Sequence, residues 1–360
     1  MVLMRIYILA GEASGDIHAA GLIRALRRHC VQAEFRGMGG DACRNEGMVL
    51  HRHFSEQNYM GFTEILKHLP QIFRNIRETV ADIAEYKPQV VIPVDYPGFN
   101  FRVMKRVKAL GIPVDYFIPP QIWAWRPGRA KTLARYTRNR FVVFPFEPNF
   151  YKSHGVDVFF VGNPLVDELQ ADLAVELRKG ELLALLPGSR RLEVEHILPI
   201  MVQAALQQAL PAVVCAMRHL PDSVYASARQ AGISLVFENT RETLKNSAQA
   251  WVASGTATLE TALLGVPQVV CYKASALSVS IARRLIRVPY ISLVNLLLNH
   301  SAVTELIQND LSVENLLQAS RLLNGEAKQK LADNYSELLR LLGSSGCFDR
   351  AAQRIIADSK

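Results

Sequence analysis

Short runs of β-branched and aliphatic residues alternate along this chain with longer stretches in which apolar residues recur every three or four positions, the pattern of βαβ units on parallel sheets. In the first half, apolar runs at 6–9, 33–36, 89–94, 114–118 and 141–144 predict strands, and helical periodicity covers 15–28, 64–85 and 102–110. A second series at 182–186, 212–215, 234–237, 250–253 and 268–271, again with helical spacing between the runs, predicts a second sheet. Between the two series, Val161-Gly162-Asn163-Pro164 ends a run in turn residues, and a polar stretch leads on to Lys179-Gly180. The hinge is expected there. The expected fold class is therefore α/β with two Rossmann-like domains, at 1–165 and 180–326, followed by a helical, polar-faced tail over 327–360 that packs back on the first domain.

Length agrees with this division, because 360 residues exceed what one hydrophobic core usually supports. Hydrophobic residues make up 49% of the chain and charged ones 21%, which argues against disorder and against an integral membrane protein. The longest apolar runs, Val90-Val91-Ile92-Pro93-Val94 and Leu182-Leu183-Ala184-Leu185-Leu186, fall far short of the ~20 residues that span a bilayer and read as buried strands. Met1-Val2-Leu3-Met4-Arg5 runs straight into a strand without a charged leader or cleavage site, so a cytoplasmic location is expected. The five cysteines are scattered and never form a C-x-x-C pair, so neither a disulfide framework nor a zinc site is expected. A net charge of +8 points to an anionic partner: nucleic acid, a phosphorylated substrate or a membrane surface. No nucleic-acid recognition motif accompanies the charge, and no nucleic-acid partner is expected.

Ligands of doubly wound sheets bind at the carboxyl ends of strands, so candidate chemistry is sought in the loops that follow them. Gly11-Glu12-Ala13-Ser14-Gly15-Asp16 follows the first strand and opens a helix; its glycines admit close approach and its free N–H groups suit an anion or hydroxyls. It is not G-x-G-x-x-G, which lowers a nicotinamide reading, and Ser14 or Asp16 as a mere helix cap is the plain alternative. Asp95, directly after the most apolar strand and ahead of Pro97-Gly98, is placed as a general base on an acceptor hydroxyl, against the plain reading of a turn-forming aspartate. Pro119-Pro120-Gln121-Ile122-Trp123-Ala124-Trp125-Arg126 carries two of the three tryptophans next to basic residues and reads as a cleft wall or as simple packing. In the second half, Leu186-Pro187-Gly188-Ser189-Arg190-Arg191 offers backbone N–H groups and a guanidinium to a diphosphate. Ser254-Gly255-Thr256, also after a strand, repeats the arrangement, with Glu260 one turn inside the helix for ribose hydroxyls.

Across these loops, in order and with similar spacing from Gly11 to about Gln308, the sequence resembles the lipid-A-disaccharide synthase family, family 19 of the glycosyltransferases. G-E-A-S-G-D, Q-I-W-A-W-R and L-L-P-G-S-R carry the resemblance. It implies a glycosyltransferase fold of the B type, two Rossmann-like domains facing across a cleft, and an inverting transfer that uses neither metal nor cofactor. UDP-2,3-diacylglucosamine would be the donor and 2,3-diacylglucosamine 1-phosphate the acceptor, giving a β-1,6 lipid A disaccharide and UDP for lipopolysaccharide synthesis. Carried over by motif, Asp95 is the base and Glu12 its support; Ser14, Gly15, Asp16, Gln121 and Trp123 face substrate; Ser189, Arg190, Ser254, Gly255, Thr256, Glu260 and Asn295 hold the donor. Two departures stand out: His300-Ser301 replaces an Arg-Glu pair after that asparagine, and Gly98 stands where some members have a second carboxylate. The first leaves no role to assign there; the second favours Asp95 alone. A UDP-N-acetylglucosamine 2-epimerase-like enzyme is the alternative; it explains the phosphate loops but not the tryptophan loop.

Both implied substrates carry acyl chains, so the enzyme is expected to be peripheral to the inner-membrane surface. The segment 59–77 combines apolar residues with Lys67, Arg74 and Arg77, as an interfacial helix does, with Phe62, Ile65, Leu66, Leu69, Ile72 and Phe73 as the membrane-contact set. An ordinary core helix gives the same pattern. The stretch 281–287 is a second, weaker candidate, and homodimerisation is left open by the sequence.

Overall fold

The computed structural model describes residues 3–57, 69–125, 127–174, 176–274, 289–323 and 326–359. The chain forms two compact units, one of residues 1–167 with 344–360 and the other of residues 168–343.

In the first unit the strands are β1 Met4–Ala10, β2 Ala33–Gly39, β3 Val49–His53, β4 Val90–Val94, β5 Asp115–Phe117, β6 Asn139–Val142 and β7 Phe159–Phe160. They lie in the order β3-β2-β1-β4-β5-β6-β7, and every pairing is parallel. The apolar run of β4 is buried at all five positions, as a strand with a helical layer on each face requires. Helix Ala13–His29 packs on the sheet through Ala19, Leu22, Ile23 and Leu26, while Leu69–Tyr86 and Pro97–Ala109 contribute Ile76, Ile83, Val103 and Val107 to a core shared with Tyr7, Leu9 and Val91. The chain winds outward from β1 to β3 and then returns to the other side of β1 at β4, so the sheet changes direction between β1 and β4.

The second unit repeats this plan with β8 Leu182–Leu186, β9 Ala212–Ala216, β10 Ser234–Phe237, β11 Ser247–Ala253, β12 Gln268–Tyr272 and β13 Thr304–Ile307, in the order β10-β9-β8-β11-β12-β13. Its change of direction lies between β8 and β11. Trp251 sits at its centre, fully buried among Leu185, Val214 and Val269 and the helix Arg191–Ala205.

The tail expected to act as one segment is divided. Helix Glu326–Leu342 stays with the second unit, where the Tyr335 hydroxyl donates to the Val266 carbonyl (3.1 Å) and accepts from Gln268 Nε2 (3.2 Å). Gly343 and Gly346, at φ +81° and +101°, then break the helix, and Cys347–Ala357 belongs to the first unit. That last helix is anchored at its start by the Asp167 carboxylate, which accepts from the amides of Gly346, Cys347 and Phe348. The Phe348 ring fills the space over Gly21, where a Cβ would come within 2.6 Å of it, and Asp349 binds both Arg28 and His29 at 2.8 to 2.9 Å.

Candidate active site

The register places the first unit's two principal loops side by side. Ala10 of β1 pairs with Val94 of β4, so Gly11 and Asp95 leave the sheet together at the point where its strand order reverses, the position at which open α/β sheets bind ligands. The loops interlock at one contact: a Cβ on Gly11 would lie 2.1 Å from the Tyr96 ring, so only glycine fits there. Asp95 and Tyr96 are consecutive non-glycine residues in the left-handed region, at φ +46° and +48°, a conformation that persists only where the surroundings impose it. Here the Asp95 carbonyl accepts from Asn100 Nδ2 (2.6 Å) and the Tyr116 hydroxyl (2.7 Å), while the Asp95 N–H donates to Phe117 of β5 (3.3 Å). These bonds fix the Asp95 backbone at the end of β4. Loss of hydration raises the Asp95 pKa above the ordinary carboxylate value, opposed by the Tyr96 N–H and by the nearby His18.

In the neighbouring loop, Glu12 and Ser14 are exposed and Gly15 is buried, its Cα side facing the Val94 carbonyl. Asp16 takes the capping role that was the plain alternative to a substrate contact. Its side chain is 4% exposed and accepts from the amides of Gly40 (2.6 Å), Ala42 (2.9 Å) and Cys43 (3.2 Å). The carboxylate thus caps the helix Asp41–Asn45, which follows the neighbouring strand β2, instead of its own helix.

After β5, Ile118 is also left-handed (φ +56°), turning the chain into Pro119-Pro120 and the short helix Ile122–Trp125. Ile122 is fully buried and anchors the turn, leaving Gln121 exposed and Trp123 partly so. The Trp123 indole N–H donates to Glu147 Oε1 (3.2 Å).

In the second unit Leu186 pairs with Val252, which brings the loops after β8 and β11 together at the reversal point. Gly188 needs its φ of +114° and has no room for a Cβ, which would lie 2.6 Å from Glu193 Oε2. Ser189 is exposed, and its carbonyl accepts from His219 Nε2 (3.0 Å). Arg190, with 69% of its side chain exposed, rests on Glu193 at 2.9 Å. Gly255 starts the helix Thr256–Leu263 with nothing within 4 Å of a built Cβ, and Thr256 beside it is exposed. The Ser254 hydroxyl donates to the Ile291 carbonyl (2.7 Å). Glu260, one turn into the helix, is held by Arg241 Nε (2.7 Å), whose Nη2 binds Glu168 (2.8 Å). Asn295 is fully buried; Nδ2 donates to Val303 O and Glu305, and Oδ1 accepts from the amides of Ala302 and Val303, all at 2.8 to 2.9 Å. Its amide has two donors and one oxygen with two lone pairs, so this set is complete and holds the loop around it.

The family model for lipid-A-disaccharide synthetase matches residues 6–354. The lipid-A-disaccharide synthase of Myxococcus xanthus is 36% identical over 370 residues, covering 98% of this chain and 97% of that one. The chain belongs to the lipid-A-disaccharide synthase family. Its fold is shared more widely: the crystal structure of the glycotransferase of kitacinnamycin superposes over 100% of both chains with a TM-score of 0.70 at 14% identity. A UDP-GlcNAc 2-epimerase from Neisseria meningitidis bound to UDP-GlcNAc does so over 99% of both with a TM-score of 0.64 at 13% identity. Such identities show a common architecture and no more. The epimerase alternative is thereby a distant structural relation, whereas the synthase relation extends through the sequence.

Several residues of this family member's site were not singled out by the sequence. His18 is recognised only through its field at Asp95; Tyr116 and Asn100 act on a backbone carbonyl; Arg241, Glu305 and Glu147 hold Glu260, Asn295 and Trp123. For Asn100 a signal existed, since a polar residue recurs there in an otherwise apolar helical face.

Of the membrane-contact set, Phe62, Ile65 and Leu66 lie outside the described residues, as does 281–287, and of Leu69 only the backbone is described. In the helix Leu69–Tyr86, Ile72 is partly buried and packs against the core. Phe73 is 49% exposed and, with Arg74, Arg77 and Arg106, lines a groove of about 550 Å³. Among the described residues no helix is long and apolar enough to cross a membrane.

Proposed function

We propose that this chain transfers 2,3-diacylglucosamine from UDP to the 6-hydroxyl of 2,3-diacylglucosamine 1-phosphate, with Asp95 as the base. The observation that supports the assignment of the base is the position of Asp95, on a doubly braced left-handed backbone at the first sheet's reversal point. Asp95 takes the proton of the acceptor hydroxyl as its oxygen attacks the anomeric carbon. The bond from that carbon to the diphosphate oxygen breaks, and the electron pair leaves on UDP. Glu12, exposed on the adjoining loop, supports the acceptor side. UDP belongs to the second unit: the open space at Gly255 admits a phosphate to the amides that begin the helix Thr256–Leu263, and Arg190 supplies charge as the diphosphate becomes more negative. The Arg190–Glu193 contact is an exposed ion pair worth ~0–1 kcal/mol, so the guanidinium can exchange it for a diphosphate at little cost. Glu260, fixed by Arg241, takes the ribose hydroxyls.

The acyl chains of both substrates call for contact with a bilayer, and the helix Leu69–Tyr86 offers an exposed aromatic ring beside three arginines, which suits an anionic inner-membrane surface. The deciding experiment supplies the purified protein with both lipid substrates and follows UDP. Release that requires the acceptor and yields a disaccharide is expected. Conversion of the sugar nucleotide to an epimer without acceptor would instead assign the chain to the epimerase chemistry.

A further inference from the structure

Glu147 opens the helix Glu147–Ser153 just beyond β6, in Phe144-Pro145-Phe146-Glu147, and is 2% exposed. One carboxylate oxygen accepts from the amides of Val143 (3.0 Å) and Phe144 (2.9 Å), and the other accepts the Trp123 indole N–H (3.2 Å). The Phe144 and Phe146 rings stack parallel, with centroids 5.8 Å apart and planes 3° apart. Trp123 stands upright against both, at 88° and 4.9 Å from Phe146 and at 86° and 6.3 Å from Phe144. The indole is therefore held by two aromatic edges and one hydrogen bond, while part of it remains accessible.

Burial makes a carboxylate costly here, and it pushes the Glu147 pKa up to about 7. Three N–H groups converge on the two oxygens from two different segments, and only a carboxylate presents acceptors on both sides. Glutamine at this position would have to turn its NH₂ toward either the β6 amides or the indole. The amides bound are those of Val143 and Phe144, ahead of the helix Glu147–Ser153, so the carboxylate ties the end of β6 to the indole and does not cap its own helix.

We infer that Glu147 is a positioning residue for the acceptor: acting through the Trp123 indole N–H, it fixes the aromatic wall beside which the acceptor sugar is held. This rests on the reading that the first unit binds the acceptor. Trp123 lies on the segment that follows β5, whose Phe117 pairs with Val94 immediately before Asp95, and it packs against residues just past β6, so a rotation of that ring alters the wall at this end of the first unit's sheet.

The test is a double-mutant cycle between Glu147→Gln and Trp123→Phe, with KM measured separately for acceptor and donor. Glu147→Gln is expected to raise the acceptor KM about tenfold with the donor KM unchanged, and to add less than twofold once Trp123→Phe has removed the N–H. The indole N–H resonance that disappears in Trp123→Phe is expected to shift in Glu147→Gln. Equal effects of Glu147→Gln in both backgrounds would show that it acts through the fold at large and overturn the inference. A raised acceptor KM in Trp123→Phe with none in Glu147→Gln would overturn it while leaving the acceptor reading intact; if neither variant moves the acceptor KM, the acceptor reading of this loop falls and the inference with it. Should Glu147→Gln not fold, Trp123→Phe keeps the carboxylate and its bonds from the Val143 and Phe144 amides and must by itself reproduce the rise in acceptor KM.

Discussion

The two units solve the same topological problem in opposite ways. Both bring a glycine-containing loop and a second loop together where the strand order reverses. In the first unit that meeting point is crowded: Tyr96 lies against Gly11, two consecutive residues are left-handed, and Asn100 and Tyr116 both grip one carbonyl. In the second it is open, with free space over Gly255 and Arg190 lying exposed on a weak surface pair. The difference matches the roles proposed for the two ends. A base is useful only if its oxygen stays within hydrogen-bond reach of one hydroxyl, so its backbone is over-determined. A diphosphate is large, charged and recognised by N–H groups and guanidinium, so its loop needs access more than rigidity.

The largest effect expected from breaking this contrast is at the crowded end. Asp95→Asn should lower turnover by roughly 10³-fold, the scale of a lost general base, while UDP binding measured by calorimetry stays as in the parent. Near-normal turnover in this variant would move the base to Glu12. The raised pKa of Asp95 adds a pH test whose sign is fixed: the base works when ionised, so kcat/KM should fall on acidification, with its limb at a pH above the ordinary aspartate value of about 3.9. A limb at or below that value would mean that Asp95 is as hydrated as a surface carboxylate.

Next in size is Gly11→Ala. One methyl group drives into the Tyr96 ring, and overpacking of this kind costs ~1–3 kcal/mol. Because the displaced ring belongs to the residue after Asp95, turnover should drop on the order of 10²-fold with the thermal midpoint only modestly lower. Gly255→Ala is the matched control at the open end, where a Cβ meets no atom in the ligand-free protein; its backbone conformation is strained, and its defect should appear in the donor KM. Arg190→Ala comes third, with loss of a charge-assisted hydrogen bond worth ~1.5–3 kcal/mol. The donor KM should rise tenfold or more while the acceptor KM holds; the reverse pattern would exchange the roles of the two units.

The same contrast explains what could be read from the sequence. Strand and loop order were legible because each buried strand is a continuous apolar run that ends in glycine, proline or a charged residue, as in Val90-Val91-Ile92-Pro93-Val94-Asp95. The edge strand β3 and the late β13 lack such runs and were not foreseen; Val49–His53 is more than half polar. At the open end the side chains are local to their loops, and Ser189, Arg190, Gly255 and Thr256 are all exposed. Roles that depend on partners from other strands were not legible. Asp16 is claimed by amides 24 to 27 residues away, and Trp123 by a carboxylate 24 residues away. The partner of Asn295 was likewise hidden, because nothing in its neighbourhood in the sequence announces Glu305.

The smallest expected effect concerns a surface that belongs to neither reversal point. In the helix Leu69–Tyr86, Ile72 turns inward and Phe73 outward, so a single substitution separates core from interface, which the sequence pattern alone did not. Phe73→Ser removes a half-exposed ring and should leave the thermal midpoint close to that of the parent. If the ring enters a bilayer, the same change should weaken binding to anionic vesicles by about 1 kcal/mol, since only part of the side chain changes solvent. Ile72→Ser should do the opposite, lowering stability through a polar group placed against the core with little specific loss of vesicle binding. Equal partitioning of Phe73→Ser and parent would make Phe73 an ordinary surface residue and leave the arginines at positions 74, 77 and 106 to account for any attraction to the membrane, which added salt would then abolish.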